Sequence, residues 1–183
     1  MLYLLILIPV AVILYVIVTY NQLTKLKIKN QNQRSQIDVE LKQRFDVIPN
    51  LVEVVKGYAA HELKTLNSIV EARVRYMGAK DTGNQLQANA QLGESLANLF
   101  VLAESYPDLK ADENFIRLQK TLVEIENNIR FSRQFYNDSV YRLNTKIESF
   151  PSSFIAGMFG FKKEAFFTAT EDEKKSIKVE LTN

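Results

Sequence analysis

His61 is the one histidine among 183 residues, and there is no cysteine. The chemistry open to this chain is therefore narrow: thiol catalysis, thiolate metal sites and disulfides are all excluded. A di-iron carboxylate centre in a helical bundle needs Glu-x-x-His pairs on two helices, but Tyr58 stands three residues before His61. A Ser/His/Asp relay would have to use the same His61, and no serine sits in a strand-to-helix elbow. No GxxxxGK(S/T) or GxGxxG stretch is present to cradle phosphate. Beside Glu62, His61 reads as a surface or interhelix hydrogen-bonding residue. The residues thus imply no catalytic group, no metal and no cofactor, and we expect a non-enzymatic protein.

Side chains suited to recognition are more plentiful. Asp38, Arg44, Asp46, Asn50, Glu53 and Lys56 form one polar run, and Glu104, Asp108, Glu113 and Asn114 form another. Each reads either as caps and ion pairs that fix a helix connection or as a surface for a protein partner. Asp46, Asn50, Glu53, Glu104, Asp108 and Asn114 are the candidate partner surface. A third group is aromatic: Phe150, Phe154, Phe159 and Phe161 lie close together in Phe150–Phe161, and Phe166 and Phe167 continue it. It either caps the open end of a core or enters the lipid interface. Lys25, Lys27 and Lys29 suit anionic headgroups, at about 1 kcal/mol each. Together with Phe154, Phe159 and Phe161 they are the candidate membrane contacts. A net charge of +2 with 24% charged residues argues against a dedicated nucleic-acid binder.

The elements that must position these residues are helical. Six glycines and four prolines are few, and they fall between long apolar-periodic stretches. Residues 1–20 read as a transmembrane anchor: Met1 to Thr24 carries no charged side chain, and Leu2 to Tyr20 spans about 28 Å as a helix, close to the hydrocarbon thickness. A cleaved signal peptide would want a basic n-region and a small-x-small site, and neither is there. Lys25, Lys27, Lys29 and Arg34 follow the span, so the positive-inside rule places the N-terminus outside and the domain in the cytoplasm, on the plasma or inner membrane.

Four helical stretches are expected beyond the anchor, over about 21–46, 47–77 and 84–105 and then a fourth of about 38 residues that runs to Pro151. The last is the clearest, with Phe115, Leu118, Leu122, Ile125 and Ile129 in steps of three and four. Asp112 or Asn114 is its candidate cap, and Pro151 its stop. At Asp46-Val47-Ile48-Pro49 the chain is expected to reverse, with Asp46 as N-cap and Pro49 in the first turn. The alternative is one long helix that lacks a partner over much of its length. With the reversal, the helices pair antiparallel. Helix parity then returns the aromatic segment to the bilayer and sends the joints at Asp46 and Asp108 to the far end.

These residues resemble the LemA family of membrane-anchored bacterial proteins. The resemblance begins at Tyr20-Asn21 and is dense from Ile37 through Glu53 and from Val55 to Glu62. It recurs in Ala103–Phe115, Arg133–Asp138 and Phe150–Phe161. One departure stands at Arg34, where the family usually carries Trp, and residues 162–183 look like a divergent tail. The resemblance implies an all-α fold: an N-terminal transmembrane helix with its N-terminus outside, then an antiparallel up-and-down four-helix bundle over 21–161. It implies no established catalysis, and it sets membrane organisation or accompaniment of membrane proteases as expectations. We therefore expect a membrane-anchored scaffold or adaptor with a polar distal surface for a protein partner, a membrane protease or a second copy. The alternative is a membrane-shaping protein that uses Phe150–Phe167 at the lipid interface.

Overall fold

The apolar N-terminal stretch and the periodic stretch after it form one helix, α1 (Leu2–Tyr58). The computed structural model describes residues 2–79 and 82–167. After α1 come α2 (Leu63–Gly78), α3 (Thr82–Ala103), the short α4 (Pro107–Ala111), α5 (Glu113–Glu148) and α6 (Ser152–Met158). Every element among the described residues is helical.

The expected reversal at Asp46–Pro49 does not occur: both residues lie inside α1. Proline in a helix interior removes the N–H that would bond the carbonyl four residues back, commonly at about 3 kcal/mol or more. Here that carbonyl belongs to Phe45, and Arg73 Nε of α2 donates to it at 3.2 Å. The Phe45 ring also stacks on Tyr76, with centroids 3.9 Å apart. A tertiary donor thus replaces the missing backbone donor, and the helix continues. The break falls later, at Ala59–Glu62, where Ala59 N–H donates to Val55 O at 2.8 Å and Glu62 N–H to Ala59 O at 3.1 Å. The stretch expected as a second helix over 47–77 is therefore the end of α1, a turn, and α2.

The start of α5 lies where the sequence punctuation puts it, while α3 begins at Thr82 and the short helices α4 and α6 were not expected. Asp112 is the cap of α5: its Oδ1 accepts the Phe115 N–H at 2.9 Å, the N-cap to N3 bond that satisfies one orphan donor. Pro107 sits in the first turn of α4, where its missing N–H costs little.

The chain divides into two compact units. One comprises Met1–Asp38 with Ile129–Phe167, and the other contains Val39–Asn128. In the second, Phe45, Ile48, Leu51 and Val55 of α1 share a core with Leu66 and Ile69 of α2, Leu92 and Leu99 of α3, and Phe115 and Leu122 of α5. Each fully buried side chain of this kind contributes about 1.5–3 kcal/mol. Arg44 crosses the same core, with Nη1 2.9 Å from Glu126 Oε2 and 2.9 Å from Asn89 Oδ1. In the first unit, Leu23, Leu143 and Ala156 form the central cluster, with Leu26, Ile147 and Phe161 against it.

The beginning of α1 is different. Ile6, Leu7, Ile8, Val10, Val12, Ile13, Leu14, Ile17 and Val18 are all exposed. A helix apolar on every face and covered by no protein is suited to lipid rather than to a core.

Candidate functional site: the α6 face where the apolar stretch ends

Helix α6 is built from Ser152-Ser153-Phe154-Ile155-Ala156-Gly157-Met158. Its start is tied down by Ser152, whose Oγ donates to Lys146 O at 2.7 Å and lies 2.9 Å from Ser149 O. Its end is a Schellman motif. Gly160 takes a φ of +71°, the left-handed conformation open to glycine. Phe161 N–H then reaches Ala156 O at 2.9 Å, and Gly160 N–H reaches Gly157 O at 3.3 Å. In this motif an apolar contact accompanies the backbone bonds, and here Phe161 returns beside Ala156 against Leu23.

That geometry gives α6 two faces. Ser152, Ile155 and Ala156 are buried, while Phe154 is 72% and Met158 73% exposed, with Phe150 just before the helix at 81%. Part of the aromatic segment therefore packs on a core and part points outward. Tyr20, at the end of the apolar stretch, meets Phe159 edge-on at 4.9 Å and Phe161 at 5.7 Å between centroids. Lys25, Lys27 and Lys29 follow on α1, all exposed. Of the candidate membrane contacts, Phe159 and Phe161 thus meet at Tyr20, Phe154 stands out from α6, and the lysines stand out from the next turns of α1.

The candidate partner surface is not one patch at one helix end. Asp46, Asn50 and Glu53 are exposed along the shaft of α1, because the helix does not end there. The end that meets the α3–α5 connection is Tyr58–Glu62: Tyr58 Oη donates to Asp112 Oδ2 at 2.9 Å, and Tyr106 Oη donates to Glu62 Oε1 at 2.9 Å. Glu104 pairs with Lys110, Asn114 Oδ1 accepts from Arg117 Nη2 at 2.9 Å, and Asp108 is exposed on α4. Glu104, Asp108 and Asn114 therefore share a region with Tyr58 and Glu62, which the sequence reading had not grouped with them. These bonds show in the titration of the groups. The Phe115 N–H, and after it the Tyr58 hydroxyl, hold Asp112 below the usual carboxylate range, and the bond to Asp112 raises Tyr58. The bond to Glu62 likewise raises Tyr106. His61 is exposed in the turn itself.

What the fold and this site define is an all-helical chain whose first helix is long and apolar enough to cross a membrane. The chain belongs to the LemA family, whose model matches residues 33–181. Among characterised proteins it is similar to the magnetosome protein MamQ 2 of Paramagnetospirillum magneticum, 24% identical over 86% of this chain and 68% of that protein. It is also similar to the magnetosome protein MamQ of Magnetospirillum gryphiswaldense, 23% identical over the same shares. Protein LemA of Metamycoplasma hominis is 25% identical over 86% of this chain and 72% of its own length.

Proposed function

We propose that this protein is a non-catalytic scaffold held on one membrane at two points: α1 crosses the bilayer and α6 lies at its interface. The observation that carries this reading is the packing of Tyr20 against Phe159 and Phe161. It sets α6 at the level where α1 leaves its apolar stretch. Phe150, Phe154 and Met158 then face the layer in which exposed aromatic and thioether groups are favoured. Lys25, Lys27 and Lys29 meet the headgroups, and with Arg34 they support a cytoplasmic domain and an outside N-terminus.

In the Val39–Asn128 unit we read α1, α2, α3 and the start of α5 as an antiparallel up-and-down four-helix arrangement. Three pairings support it. Arg44 meets Glu126 while Tyr58, later on α1, meets Asp112, earlier in the chain. Phe45 meets Tyr76 across the Ala59–Glu62 turn. Arg44 meets Asn89 while Glu62 meets Tyr106, so α1 and α3 run the same way. The region around Glu104, Asp108, Asn114 and Glu62 is the surface we assign to a protein partner. Proximity crosslinking from Asp108 in intact cells, followed by partner identification, tests it: labelling no richer than from the shaft residue Asn50 removes the assignment.

The chain has no tryptophan, which makes the lipid contact directly readable. Phe154→Trp in the full-length protein, reconstituted in vesicles containing brominated lipids, is expected to be quenched, whereas Val101→Trp on α3 is not. An unquenched Trp at 154 overturns the interfacial placement. The outward Phe150, Phe154 and Met158 also favour a second reading, membrane shaping by a shallow wedge. Imaging of liposomes carrying the full-length protein separates the two, since a scaffold alone leaves vesicle shape unchanged.

A further inference from the structure

Helix α2 carries two apolar stripes where its place in the fold uses one. Leu66, Ile69 and Ala72 are buried and join the core that α2 shares with α1, α3 and α5. Further round the helix, Leu63, Val70, Val74 and Met77 are exposed. With the exposed Asn67 between the first two, they follow one another at steps of four, three, four and three residues. That is the d-a-d-a-d seam of a heptad pattern, and it runs the length of α2, from its first residue to its last but one. Val70 is also a wall of a cleft of about 310 Å³ whose other apolar walls are Ile48, Pro49 and Val52 of α1, so the apolar surface continues from the seam onto α1. Single apolar side chains at a surface need no explanation. Four at seam spacing, on a helix that already has a buried face, mark a contact.

We propose that α2 is a self-pairing helix: two copies in one membrane pack their Leu63–Met77 seams together, parallel and in register. Asn67 chooses the occupant. It is the one polar residue of the seam, and an amide shut into apolar surroundings needs a donor and an acceptor at its own level. A parallel copy in register sets Asn67 against Asn67, so each amide donates to the other and accepts from it. A single Asn at an a position fixes register and strand number in coiled coils in this way. Lipid or an unrelated apolar helix would leave the amide unmade. Direction follows from the anchor. Across the Ala59–Glu62 turn α2 runs back along α1, since Phe45 stacks on Tyr76 and Arg73 reaches the Phe45 carbonyl. Two copies whose α1 crosses the bilayer the same way therefore present α2 the same way, which is the arrangement an Asn67 layer requires. A seam of five positions is short, and confinement to the membrane raises the effective concentration of copies that populates it. This deepens the scaffold reading, on which it rests for the shared direction, by naming a partner and the surface that meets it.

The absence of native cysteine allows a direct test. Full-length chains carrying Leu63→Cys, Val70→Cys or Met77→Cys on the seam, or Ser68→Cys or Arg75→Cys on the flank, are each expressed with two different tags in one cell membrane and mildly oxidised. A disulfide needs Cα atoms within about 7 Å, so a product with both tags is expected at the three seam positions and little at the two flank positions. Adding Asn67→Asp to the Val70→Cys chains sets two carboxylates in one layer. It is expected to reduce the two-tag product about tenfold or more, since like charges about 4 Å apart near a protein surface repel by more than that factor requires. These changes fall outside the buried stripe, where substitutions seldom unfold a protein. Equal yields at seam and flank overturn the proposal, as does a product that Asn67→Asp leaves intact. So does crosslinking of Leu63→Cys to Met77→Cys in place of like with like, which is antiparallel pairing, or a product formed only with an untagged protein. Trp quenching at position 154 reads lipid contact separately: quenching there without the two-tag product removes the pairing and leaves the membrane reading standing.

Discussion

Arg73 Nε donates at 3.2 Å to the Phe45 carbonyl, the acceptor that Pro49, four residues further on, has no N–H to fill. A proline that would otherwise kink or end a helix is thereby accommodated inside α1. Arg73→Met keeps much of the apolar stem and removes the donor. It is expected to destabilise the protein by about 1–3 kcal/mol, the cost of leaving a partly buried acceptor unmade. Chemical unfolding of Arg73→Met and of Arg73→Met with Pro49→Ala checks it. The double variant is expected to recover much of the loss, because alanine restores the backbone donor. Equal losses in the two would show that the Arg73 bond does not serve Pro49.

This pair also explains where sequence reasoning stopped. Pro49 after Asp46 has the local signature of a helix start, and the compensating donor lies on another helix, 28 residues from the Phe45 carbonyl it fills, where no local pattern reveals it. The start of α5 and its cap at Asp112 were legible because both signals are local. Helix parity, which does not depend on which residues make the first reversal, returns the aromatic segment toward the end of the apolar stretch, but the pairing of Tyr20 with Phe159 and Phe161 was not legible. The bonds from Asn137 and Asn144 to the main chain of Phe167 and Glu164 were not legible: these partners lie 30 and 20 residues downstream, in a tail that looked divergent and offers main chain rather than side chains.

Asp112 joins two functions in one carboxylate, capping α5 through Oδ1 and accepting Tyr58 Oη through Oδ2. Its pKa in the folded protein is lowered from 3.8, first by the Phe115 N–H and then by Tyr58. A depressed carboxylate stabilises the fold above its unfolded pKa and loses that contribution as pH falls through the folded value. The thermal midpoint of the native chain is therefore expected to drop more steeply below pH 3.8 than that of Asp112→Asn, with Tyr58→Phe between them. Parallel pH profiles for the native chain and Asp112→Asn would remove Asp112 from the account.

The two faces of α6 separate stability from membrane contact. Ile155 is 5% exposed, so Ile155→Ala is expected to cost about 2–5 kcal/mol through lost contacts and a residual cavity. Phe154→Ser and Met158→Ser change outward residues and are expected to stay within about 0.5 kcal/mol while reducing Trp-reported or label-reported lipid contact at α6. Urea unfolding in detergent gives the first quantity and lipid quenching the second. A large stability loss for Phe154→Ser would mean that this ring belongs to a core and not to an interface.

Asn30 carries the last prediction. In the sequence it interrupts the apolar stripe of α1, a polar residue at helical spacing from Leu23, Leu26 and Ile37. In the fold it is 3% exposed, and neither Oδ1 nor Nδ2 has a hydrogen-bond partner. A buried amide left unmade costs about 1–3 kcal/mol, so Asn30→Leu, close to it in shape, is expected to stabilise the protein by an amount of that order. Asn30→Ala, which removes the amide but opens a void, is expected to gain less or to lose stability. Unfolding midpoints of the three chains in one detergent test this ordering. A loss of stability for Asn30→Leu larger than for Asn30→Ala would show that the amide is bonded in the membrane-bound protein, to an ordered water or to a second chain.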